Sequence, residues 1–238
     1  MPEERNIGWT IGISIVPDGL QPEAVKLSCF IPSILDTSAG VKSMNHLEQF
    51  ETQLANLIGC PSKQRPFICD GSPLTCQVFL VGANPATEIE EDFWTFWQTG
   101  TGFDKQAWMT TYLKERKMRP LKPGKTRRAT VSNTRRVLEW ITESAAPLRC
   151  LETNIYAAAT PTIAELSSAR RMTDPFQFLL DSIRPRLIVA HGRDAEACLQ
   201  RLAPNAEVLY VDHFSRGWSE VKARHLGEQL KAICPPVQ

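Results

Sequence analysis

Along residues 1–43, hydrophobic residues alternate with small or polar ones: Ile7, Trp9, Ile11, Ile13 and Ile15, then, past a Pro-Asp-Gly turn, Val25, Leu27, Cys29 and Ile31. A period of two predicts two half-buried strands. At Met44 the period changes. In NHLEQFETQLANLIG, Leu47, Phe50, Leu54, Leu57 and Ile58 recur at helical spacing. The change divides the chain into an extension, 1–43, and a domain, 44–238. The extension reads either as a two-strand appendage or as a segment that the domain does not need.

Within the domain, short apolar runs alternate with amphipathic ones. QVFLV, LRCLET, RLIVA and EVLYV predict strands. DFWTFW, DKQAWMTTYLKERK, SNTRRVLEWITESA, PTIAELSSARR, PFQFLLDSI, RDAEACLQRL and SEVKARHLGEQLKAI predict helices. Ser132 is placed to cap one of them, and Asp174 another, with Pro175 in its first turn. Four strands separated by helices need crossover connections, which produce a parallel sheet covered on both faces.

Composition changes this picture little. A hydrophobic fraction of 42% and a charged fraction of 22% are ordinary for a folded globular chain. No apolar run is long enough to span a membrane, and the first residues lack the pattern of a signal peptide, so a cytoplasmic protein is expected. Seven cysteines are spread along the chain with no C-x-x-C pair. Reduced thiols are therefore expected, with no metal or other cofactor. The net charge of +1 conceals a basic segment: Lys114 to Arg136 holds ten basic residues, among them Lys125, Arg127 and Arg128, and one acid, Glu115. Such a segment serves either a phosphate backbone or a solvated face.

The residues at the strand exits are more informative. Gly82-Ala83-Asn84-Pro85 stands behind the first strand, Asn154 ends the second, His191-Gly192 leaves the third, and Asp212-His213-Phe214-Ser215 leaves the fourth. In an open parallel sheet, ligands bind outside the carboxyl ends of the strands. Singly, each residue has a plain reading: Asn-Pro starts turns, and His191-Gly192 is an ordinary strand exit. Asn154 and His213 are harder to set aside, because a buried amide or imidazole needs partners. An amide does not take up a proton, so Asn84 would orient a water. An Asn side chain also matches the O4 and N3–H edge of a uracil or thymine ring. His213 would donate to an oxygen on which charge grows.

These motifs, G-A-N-P behind a strand, T-N ending the next and H-x-S behind the last, resemble those of the uracil-DNA glycosylase superfamily over about residues 66–233. The resemblance implies a three-layer α/β/α sandwich on a mainly parallel, four-stranded sheet. It further implies an enzyme that flips uracil or a related damaged base out of DNA and hydrolyses the N-glycosidic bond. Asn84 would then position the water and His213 stabilise the O2 anion. Gly82, Ala83, Pro85, Asn154 and Phe93 would surround the base. Ser215 would hold a DNA phosphate, and Arg216, Gly217 and Trp218 would form the wedge that replaces the flipped base. Lys125, Arg127 and Arg128 would clamp the backbone. The partner is damaged DNA, and the protein a monomer.

The chain departs from the family pattern in two places. Phe214 stands where the second motif has proline, and the stretch after Pro85 is short. Phe93, Trp94, Trp97 and Phe103 are all candidates for the ring that stacks on the base, although such aromatics are commonly core. The acids Glu88, Glu90, Glu91 and Asp92 read as helix-start charges turned away from DNA. Two other functions stay open: a protein of this fold that binds nucleic acid or a nucleobase without turnover, and a small-molecule hydrolase or transferase. The missing phosphate loop and nucleophile elbow weigh against the latter.

Overall fold

The computed structural model describes residues 45–235 apart from 122 and 125. The two strands expected over residues 1–43, and Lys125 in the basic segment, lie outside the described residues. The strands are β1 (Phe67–Ile68), β2 (Val78–Gly82), β3 (Trp97–Gln98), β4 (Gly102–Phe103), β5 (Cys150–Asn154), β6 (Leu187–His191) and β7 (Glu207–Val211). The helices are α1 (His46–Ile58), α2 (Lys105–Met118), α3 (Asn133–Ala145), α4 (Asp174–Ile183), α5 (Arg193–Leu202) and α6 (Glu220–Ile233).

The main sheet has five strands, ordered β1-β5-β2-β6-β7, rather than the expected four. β2, β5, β6 and β7 are the four strands read from the sequence, and they pair in parallel. The fifth, β1, runs antiparallel to β5, with Phe67 opposite Thr153 and Ile68 opposite Glu152. Two residues are too few to show a period, which is why RPFICDGSP gave no sign of a strand.

Helix starts obey local chemistry. Asn45 caps α1 and forms a reciprocal pair with Glu48, Ser132 caps α3 as expected, and Ser219 caps α6. α4 begins at Asp174, so its cap is Thr173 and Pro175 is its second residue.

Two expected helices do not form. DFWTFW is one 3-10 turn, Phe93–Phe96, which Asp92 caps, and it runs into β3 and a hairpin with β4. Phe93, Phe96 and Trp97 are all buried, and after the turn the chain becomes extended so that Trp97 pairs with Phe103, which a continued helix would not allow. PTIAELSSARR forms two separate 3-10 turns, Ile163–Glu165 and Ser168–Arg170. Leu166 alone in this stretch is fully buried, too little apolar contact to hold a longer helix.

The sheet residues sort by alternation. Phe79 and Val81 of β2, Leu151 of β5, and Ile188 and Ala190 of β6 pack with Leu54 of α1, Leu179 of α4 and Leu199 of α5. Val78 and Leu80, with Leu187 and Val189, pack with Val137 and Ile141 of α3 and with Leu226 and Leu230 of α6. Each fully buried aliphatic side chain contributes about 1.5–3 kcal/mol. Among the described residues no helix is long and apolar enough to cross a membrane.

In chain order, the parallel strands are arranged second, first, third, fourth across the sheet. The connection from β2 leads toward β5 and that from β6 toward β7, in opposite directions. The crevice of an open α/β sheet opens at such a switch point, here between the carboxyl ends of β2 and β6.

Candidate active site

The last residues of the parallel strands form a row. Gly82 of β2 stands opposite Asn154 of β5, and His191 of β6 opposite Val211 of β7. Gly82 leaves room for a close approach of two side chains. A Cβ there would stand 2.8 Å from Asn154 Oδ1 and 3.0 Å from His191 Nε2. The amide from one neighbouring strand and the imidazole from the other therefore meet over Gly82.

Beyond Gly82 the chain does not turn away. Ile155 and Tyr156 donate their N–H groups to the carbonyls of Gly82 and Ala83, each at 2.9 Å, and Thr160 donates to Pro85 at 3.0 Å. Gly82-Ala83-Asn84-Pro85 thus continues the pairing of β2 with β5. This holds Asn84 in place. Its Nδ2 donates to the backbone oxygen and to the hydroxyl of Thr160, both at 2.9 Å. A carbonyl only accepts, so the amide nitrogen must face Thr160, and Oδ1 is left to accept from a ligand or a water. Thr160 itself donates to the Thr162 carbonyl at 2.8 Å, which fixes its hydroxyl. Thr160 was not anticipated from sequence. It lies six residues past Asn154, and no local pattern announces that it returns to Asn84.

His213 is exposed, and its Nδ1 is engaged by Ser215, whose N–H donates at 3.2 Å and whose hydroxyl lies at 2.8 Å. A backbone N–H only donates, so Nδ1 is an acceptor and the ring proton sits on Nε2. Partial burial, then the positive charge of Arg216, lowers the pKa of His213, against a smaller opposing effect of Asp194. The residue is accordingly a neutral Nε2–H donor. Ser215, expected to hold a phosphate, is used here to orient His213, and its carbonyl accepts from Asn133 Nδ2 at 3.3 Å.

His191 is buried. Its ring stacks on Phe214 at 4.2 Å and 24°, and meets the edge of His213 at 4.9 Å. Burial, and secondarily His213, pulls its pKa down to about 3. Phe214, which stands where the family has proline, is fully buried as the floor under His191.

The chain matches no family model and no curated protein.

Arg216 and Gly217 are exposed at the rim. Trp218, expected as a wedge, is folded back. Its ring meets the face of Phe214 edge-on at 5.0 Å, its Nε1 donates to the Asp212 carbonyl at 3.1 Å, and Lys222 Nζ lies 4.4 Å from the ring centre. Phe93 stacks on Phe103 at 5.4 Å and is 4% exposed. It lines a recess with Arg65, Thr87, Ile89 and Trp108, and neither Asn154 nor His213 reaches that recess.

The acids after Pro85 do not start a helix as expected. Asp92 caps the 3-10 turn and accepts from the Ser62 N–H, and Glu90 pairs with Lys63 at 3.5 Å.

The basic segment is used unevenly. Arg128 donates to the carbonyls of Arg116 at 2.7 Å and Arg119 at 2.9 Å, and to that of Pro120, closing the end of α2. Arg119 donates to the Glu88 carbonyl, and Arg116 to that of Ala129 at 3.1 Å. Arg135 is buried against Glu152, while Lys105 approaches the same carboxylate at 2.9 Å and Glu139 at 3.2 Å. Burial opposes the charge on Glu152, but Arg135 and Lys105 outweigh it and hold the carboxyl below the usual range. Arg127 is exposed and remains available to a phosphate.

Proposed function

We propose that this chain is a monomeric, cofactor-independent DNA glycosylase of the uracil-DNA glycosylase type, a three-layer α/β/α sandwich that removes uracil or a related damaged base. The observation that carries the reading is the pair of fixed hydrogen-bonding groups. Thr160 turns the Asn84 amide so that Oδ1 is free, and Ser215 turns His213 so that Nε2–H is free.

In the proposed reaction Asn84 Oδ1 accepts a hydrogen bond from water and directs its lone pair at C1′. The C1′–N bond breaks with its electron pair going to the base, where His213 donates to the oxygen that gains charge. The water oxygen bonds to C1′ and its proton is lost to solvent, leaving an abasic site. A neutral donor suits this step, because it stabilises the anion without having to surrender a proton. Asn154, with an unengaged carboxamide beside Gly82, provides the donor and acceptor that match a pyrimidine edge.

The test is incubation with single- and double-stranded oligonucleotides carrying one uracil, followed by alkaline cleavage. Strand breaks are expected only at uracil. Asn84→Ala and His213→Ala should each lower the single-turnover rate about 10²-fold or more. DNA binding without an abasic product, over a panel of lesions, would instead make the chain a nucleic-acid-binding protein.

A further inference from the structure

The switch point holds one polar group that the proposed reaction does not use, the imidazole of His191. Its residue is 7% exposed, and its Nδ1 is sealed from solvent without a partner. No hydrogen bond joins either ring nitrogen to a described residue. Leaving a buried polar atom unpaired costs free energy, and such sites in folded proteins call for an explanation.

The ring is held in one orientation. Phe214 lies under its face, and the edge carrying Cε1 and Nε2 is turned to Gly82, both atoms 3.0 Å from where a Cβ would stand. Asn154 Oδ1 lies 2.8 Å from the same point. The ring is neutral across the pH range of DNA chemistry, since burial holds its pKa at about 3. A neutral imidazole carries one proton. Nδ1 is sealed without a partner in either tautomer, and the tautomer with its proton on Nε2 places the one N–H on the edge toward Gly82 and Asn154.

We propose that His191 is a base-contacting residue whose Nε2–H, beside Asn154, donates to the O4 carbonyl of the flipped base. The assignment rests on the glycosylase reading. It adds a specificity: a donor at this position accepts a keto group and opposes the amino group of an undamaged cytosine.

The test is a cycle of two enzymes and two substrates under single-turnover conditions, wild type and His191→Phe against DNA carrying uracil or 4-thiouracil. The phenylalanine keeps the stack on Phe214 and removes the donor, and the thione is a weaker acceptor at the same position. Wild type should cut 4-thiouracil about tenfold more slowly than uracil, and His191→Phe should lose about tenfold on uracil and under twofold on 4-thiouracil. His191→Gln, which restores an N–H, should return to within about threefold of wild type. Equal losses on both substrates, or no loss at all, would overturn the assignment.

A second measurement needs no substitution. On wild type bound to DNA with an uncleavable 2′-fluoro-deoxyuridine, the His191 Nε2 proton should become protected from exchange and move downfield. An unchanged signal would overturn the proposal even if the phenylalanine variant fails to fold. A wild type that excises no base would defeat the glycosylase reading itself, whereas an active wild type with a failed cycle would defeat only the role of His191.

Discussion

At the scale of single residues, the site is built from groups whose protonation and orientation are dictated by their partners. Thr160 decides which way Asn84 points, and the Ser215 N–H decides which His213 nitrogen carries the proton. His191 has no such partner, and burial, with a smaller effect of His213, keeps it neutral. That has a consequence for stability. An unfolded histidine titrates near 6.5 and the folded one at about 3, so between those values the unfolded chain binds about one proton more. The neutral-ring contribution is complete above pH 6.5 and is lost as the pH falls toward 3, at no more than about 1.4 kcal/mol per pH unit. From pH 7 to 5 it amounts to about 2 kcal/mol. Urea unfolding at the two pH values should show that His191→Phe loses about 2 kcal/mol less than wild type on acidification. Parallel losses in the two proteins would mean that His191 is already accessible to protons in the folded state.

At the scale of elements, legibility depended on length and amphipathicity. α3 shows its apolar stripe and its Ser132 cap plainly, and β2 is bounded by Gly82. β1 is too short for a pattern, and the chain leaves the single turn Phe93–Phe96 for the extended pairing of Trp97 with Phe103. Charge was legible as a cluster but not in its use. Arg127 and Arg128 are neighbours in sequence, yet Arg128 closes the end of α2 through three carbonyls and Arg127 faces solvent. The last carbonyls of a helix lack internal partners, so a guanidinium there replaces water with fixed donors. Arg128→Ala should therefore lower the unfolding free energy by about 1–2 kcal/mol, and Arg127→Ala by less than about 0.5 kcal/mol, as read from urea midpoints. Equal effects would show that the α2 end gains nothing from Arg128.

At the scale of the whole molecule, the order of the parallel strands decides where chemistry can occur. Sequence places Asn84, Asn154, His191 and His213 at strand ends, but not which ends are adjacent; that depends on β2 and β6 lying side by side with connections leading apart. Asn154 and His191 flank Gly82 because β5 and β6 pair with β2 on either side, and His191 stacks on Phe214 because β7 pairs with β6; no local pattern announces either. The same placement determines how DNA would lie. A duplex reaching His213 would meet the rim where Arg216 is exposed, while four residues of the basic segment, Arg116, Arg119, Arg128 and Arg135, are already committed to backbone carbonyls or to Glu152. Each phosphate contact releases counterions and adds close to one to the slope of log affinity against log salt. Arg127→Glu and Arg216→Gln should each weaken binding to undamaged DNA and each reduce the magnitude of that slope by about one. Arg128 is unsuited to this comparison, because its loss would also loosen α2. A slope unchanged in Arg216→Gln but reduced in Arg127→Glu would put the phosphate backbone along the α2 to α3 connection and away from the His213 rim, and a slope unchanged in both would remove Arg127 and Arg216 from DNA binding.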